Sequence, residues 1–75
     1  MSALLTKTRS DQVDRLLELY CEWREECAGV WAAYERFSQA PRADRGLAFA
    51  AYTAALDREG SAAAGYAAQL EVVAP

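Results

Sequence analysis

Large apolar residues recur at Val13, Leu16, Tyr20, Trp23, Cys27, Val30, Tyr34 and Phe37, in alternating steps of three and four. That is the repeat of one helix face, not the every-second-residue alternation of a half-buried strand. The spacing predicts a first helix over about 11–38. Thr8 or Ser10 can cap its start, and Asp11 and Asp14 suit the positive end of a helix dipole. A second run repeats the same steps through Phe49, Tyr52, Leu56, Glu59, Ala63, Tyr66, Leu70 and Val73, with Glu59 its one polar member. It predicts a second helix over about 42–73. Gly60-Ser61 is where this helix would break if it broke. Glycine there costs about 1 kcal/mol relative to alanine, but the apolar phase crosses it without a shift, so one continuous helix is expected.

The connection Ser38–Arg42 is short. Pro41 disfavours helix at Ala40 and suits the first turn of a new helix. Two helices joined this way become antiparallel neighbours. Folding at the connection sets Phe37 against Phe49, Tyr34 against Tyr52, Trp23 against Ala63, Tyr20 against Tyr66 and Leu16 against Leu70. The expected fold is therefore all-α: an antiparallel two-helix hairpin over 11–75, preceded by a flexible segment over 1–10. A hairpin has one seam and encloses no core. Two of them pairing as a homodimer into a four-helix bundle would supply one.

Composition supports this picture. Seventeen of the 75 residues are Ala, against four Gly and two Pro. The second helix is apolar nearly all round, since between Gly46 and Leu70 its charges are Asp57, Arg58 and Glu59 alone. A helix of that kind is normally buried on more than one side. Leu17, Trp31, Ala55, Ala62 and Tyr66 are the expected interface residues. The same three adjacent charges argue against a membrane span.

Charge and chemistry narrow the function. Net charge is −3 with no histidine. The acids gather in the first helix, with seven acids and three arginines over 11–37. No basic stripe marks a nucleic-acid binder. Without histidine the commonest general base and the commonest metal ligand are missing. Glu18, Glu22, Glu25 and Glu26 follow one another at helical spacing, but a ferritin-like site adds a histidine three residues after a glutamate. They read as a solvated acidic face. Arg36, Arg42 and Arg45 near the turn read as capping and solubilising charges. No metal, cofactor or catalytic residue is expected.

Three features carry what chemistry remains. Cys21 and Cys27 sit six apart on one helix, about 9 Å of rise, beyond the ~7 Å that a disulfide spans. Cys27 reads as a small seam residue. Cys21 points outward and is a candidate redox position in a reducing cytoplasm. Glu59 on the seam needs a partner, and Arg24 is the candidate for a buried ion pair, within the chain or across a dimer. Trp23, Trp31 and Tyr34 leave open a second class of function, a bundle that binds a small ligand in an aromatic pocket. The reading preferred is a non-enzymatic interaction or assembly module that self-associates or docks its second helix on a protein partner.

Overall fold

The computed structural model describes residues 8–75. Helix α1 spans Arg9–Gln39, and helix α2 spans Arg45–Val73. A single 3-10 turn, Arg42–Asp44, joins them. The two helices pack side by side as an antiparallel hairpin, a rod of 61 × 17 × 15 Å. Its radius of gyration is 17.5 Å, where a compact chain of this length would have about 11 Å.

Each boundary has a local cause. Thr8 caps α1: the Asp11 amide donates to Thr8 Oγ1 at 3.0 Å, and the Thr8 amide donates to Asp11 Oδ2 at 3.4 Å. This reciprocal pair satisfies two of the amides that a helix start leaves unpaired. It sets the start two residues earlier than expected from the apolar run. The expectation of a flexible segment over 1–10 falls mostly on residues outside the described ones. At the other end Ala40 turns extended ahead of Pro41. The chain then re-enters helix through bonds from the Asp44 amide to the Pro41 carbonyl and from the Arg45 amide to the Arg42 carbonyl. No residue of the turn needs a positive φ. Helix α2 runs through Gly60-Ser61 unbroken, as its apolar phase implies.

The seam follows the expected step but not the expected residues. On α1 its members are Gln12, Leu16, Leu19, Trp23, Glu26, Val30, Ala33 and Phe37. On α2 they are Ala48, Tyr52, Ala55, Glu59, Ala62, Tyr66, Gln69 and Val73. Half of each set matches the sequence reading. Of the rest, Val13, Cys27 and Ala63 are half-buried beside Gln12, Glu26 and Ala62, while the inner residue lies one earlier where Leu19 replaces Tyr20, Ala33 Tyr34, Ala48 Phe49, Ala55 Leu56 and Gln69 Leu70. At Ala33, Ala48 and Ala55 the reason is steric: alanine methyls let the helices approach closely, and the larger neighbour then straddles the contact. Ala33 and Ala55, 3% and 1% exposed, are the fully buried apolar residues among those described.

Two aromatic layers bridge the helices. Near the turn, Phe37 stacks on Tyr52 (6.1 Å, 3° between planes) and Tyr34 tilts against Tyr52 (5.7 Å, 60°). Phe49 leans on Phe37 at 5.4 Å. In the distal layer, Trp23 stacks on Tyr66 (5.8 Å, 5°) and Tyr20 tilts against Tyr66 (5.6 Å, 58°). The expected pairings of Phe37 with Phe49, Tyr34 with Tyr52 and Tyr20 with Tyr66 are all present. Trp23 contacts Glu59 and Tyr66, one turn to either side of the Ala62-Ala63 pair. The second trio repeats the first two heptads away on both helices.

Candidate interaction surface

Seven large apolar side chains on one broad side of the rod are exposed: Leu17, Tyr20, Trp31 and Tyr34 from α1, and Phe49, Leu56 and Leu70 from α2. Their positions explain the grouping. Leu17 and Trp31 share one heptad position, Tyr20 and Tyr34 the next, and both lie to the same side of the α1 seam. Phe49, Leu56 and Leu70 share the corresponding flank of α2. The contacts of Tyr20 with Tyr66, Tyr34 with Tyr52 and Phe37 with Phe49 join these flanks across the seam. Trp31 is 64% exposed and covers Tyr34 at 6.0 Å. Leu47 and Val72, also exposed, lie off this side near the two ends of α2.

The opposite side has a different chemistry. It carries Arg15, Glu18, Glu22 and Glu25 of α1, all exposed. Arg15 pairs with Glu18 at 3.1 Å, and Arg58 of α2 reaches Glu26 at 3.6 Å. All four side chains are more than a third exposed, so each pair contributes at most about 1 kcal/mol. Among the described residues no three His, Cys, Asp or Glu groups converge to hold a metal.

The expected interface residues divide. Leu17 and Trp31 lie on the apolar side and are open. Ala55 does not face outward: it is 1% exposed, buried between the helices of its own hairpin. Ala62 is a half-buried seam residue, and Tyr66 is committed to the stack with Trp23 and Tyr20. Composition missed the burial of Ala55 because α2 is apolar nearly all round, so its pattern gives little contrast between seam and surface. Leu56 and Leu70, read as seam, belong to the exposed flank.

The Arg24–Glu59 pair does not form within the chain. Glu59 Oε2 instead accepts a 2.7 Å hydrogen bond from Trp23 Nε1 across the seam. Arg24 lies with its guanidinium carbon 5.9 Å from the Trp23 ring centre. A sequence reading looks for the opposite charge. The indole N–H, one residue away on the seam face, is the donor that lies in reach. Cys21 is exposed with a free thiol on the outward side of α1, and Cys27 is half-buried at the rim of the seam. The aromatic rings stack on one another, and no cavity opens between them among the described residues. No helix among the described residues is long and apolar enough to cross a membrane.

Comparison with family models, with curated proteins and with solved structures finds no match to this chain.

Proposed function

We propose that the chain is a non-enzymatic association module that works by laying its aromatic side against another helical surface. One observation carries this reading. A hairpin that among its described residues fully buries only Ala33 and Ala55 leaves seven large apolar side chains exposed together. Exposed apolar patches beyond a few hundred Å² mark contact sites on soluble proteins. Docking would enclose these side chains, which the second helix cannot do alone. An aqueous, reducing compartment such as the cytoplasm fits this reading, since there the exposed Cys21 thiol stays reduced.

The test puts a charge into the surface. Trp31→Glu and Leu56→Glu place a carboxylate where the proposed contact is dry, which costs several kcal/mol unless it is paired. Ala54→Glu, exposed on the other side of α2, is the control. The two surface variants are expected to lower both the solution mass and the melting temperature, and the control to leave both unchanged. Unchanged mass and melting in both surface variants would falsify the reading.

A further inference from the structure

The apolar side carries two charges between its Leu17 and Trp31 levels, one of each sign. Arg24 shares its heptad position with Leu17 and Trp31. Glu59 shares its position with Tyr52 and Tyr66, whose rings lean on Tyr34 and Tyr20 of the same side. The two lie within one helical turn of each other along the rod, one on each helix, linked through Trp23. Neither has an oppositely charged partner among the ion pairs of the described residues, Arg15–Glu18 and Arg58–Glu26. Glu59 spends one oxygen on Trp23, and a carboxylate offers about four acceptor positions.

We propose that a second copy of this chain covers the apolar side, and that Arg24 of each copy pairs with Glu59 of the other. The proposal rests on the association reading above. A two-fold interface is isologous, so one positive and one negative group on a single face become two reciprocal pairs. With the axis running along the rod, α1 of one copy lies over α2 of the other. The same operation that sets Arg24 opposite Glu59 sets Leu17 opposite Leu70 and Trp31 opposite Leu56. Every helix then has antiparallel neighbours, as in an up-down four-helix bundle.

Area agrees with this occupant. The seven side chains are 40–64% exposed. At about 150–250 Å² of full area each they offer roughly 500–850 Å² per copy, close to the ~800 Å² per partner of a stable interface. Charge argues against a lipid surface, because the chain is net −3 and an anionic headgroup layer repels it.

The test uses two variants that keep the hairpin intact. Glu59→Gln retains an oxygen for Trp23 Nε1, and Arg24→Gln removes one guanidinium contact with the Trp23 ring and keeps the Trp23–Glu59 bond. Circular dichroism and tryptophan emission check that both are folded. The wild type is expected to reach twice 8.2 kDa by light scattering. Each variant loses both pairs and is expected to dimerise on the order of 100-fold more weakly. Mixing the two variants restores one pair, so native mass spectrometry should find the mixed dimer above its statistical half. A pairing confined to one chain cannot give that result. A wild type that stays monomeric or unfolded at every concentration overturns the second copy as occupant. A dimer whose variants mix statistically overturns the Arg24–Glu59 pairing, even if Trp31→Glu still dissociates it and so upholds the association reading. Mixed dimers in excess, lost again when both variants also carry Trp31→Glu, support the whole proposal.

Discussion

The two aromatic layers have the same geometry and different chemistry. Each sets one ring of α1 flat on a tyrosine of α2 and a second ring at a steep tilt to it. In each an arginine also lies over the stacked ring, Arg45 over Phe37 at 5.5 Å and Arg24 over Trp23 at 5.9 Å. The layer near the turn adds Phe49 and Trp31 and has no hydrogen bond across the seam between its side chains. The distal layer has fewer rings and adds the bond from Trp23 Nε1 to Glu59. Stacking tolerates small slides, because one ring face resembles another. A 2.7 Å hydrogen bond does not. The turn layer therefore supplies most of the apolar contact, and the distal layer fixes the register.

Breaking the turn layer should have the largest effect. Phe37→Ala removes the ring that touches Phe49, Tyr52 and Arg45 together. It is expected to destabilise the hairpin by about 3 kcal/mol, somewhat less than for a fully enclosed phenylalanine, as read by urea unfolding. Trp23→Phe tests the distal layer next. It keeps a ring on Tyr66 but leaves Glu59 half-buried without its donor, a cost of about 1–3 kcal/mol. If Trp23→Phe proved harmless while Phe37→Ala did not, the assignment of register to the polar bond would be wrong.

Smaller changes sharpen the same contrast. Thr8→Ala removes the cap at the end of α1 beyond the distal layer and should cost about 1 kcal/mol. Hydrogen exchange should show its effect reaching Gln12 and fading before Phe37. Gly29→Ala lies between the layers, where an added methyl meets nothing within 4 Å. It should stabilise by up to about 1 kcal/mol through helix propensity, with a matching rise in melting temperature. Tyr66→Phe keeps the ring and should change stability by less than about 0.5 kcal/mol.

The aromatic repeat was open to a sequence reader, and so was the hairpin. Tyr20 and Trp23 recur as Tyr34 and Phe37, and Tyr66 as Tyr52, each fourteen positions along. The three-and-four spacing placed both helices and three of the cross-helix pairs. It missed the residue at the centre of the contact. Apolar spacing weights large side chains, so it chose Tyr34 and Leu56 over Ala33 and Ala55. Which of two adjacent positions sits deeper depends on how closely the backbones approach. That in turn depends on residues from both helices at once, a pairwise property that one helix's pattern does not contain. The partner of Glu59 was missed for a related reason. Charge sign suggested Arg24, while the reach and direction of each side chain gave the bond to Trp23.

The placement of the two layers also sets an order of assembly. Phe37 and Phe49 are twelve positions apart (37 to 49), whereas Trp23 and Glu59 are separated by 36. Closing the longer loop from a disordered chain costs about 1 kcal/mol more in entropy. The layer near the turn is thus the cheaper one to form first, and zipping then proceeds outward from it. The indole–carboxylate bond, at the middle of both helices, closes after the layer near the turn and opens before it. A hairpin that starts to pair in the wrong frame would be tested against that bond when about half of each helix had come together, with the outer halves still free.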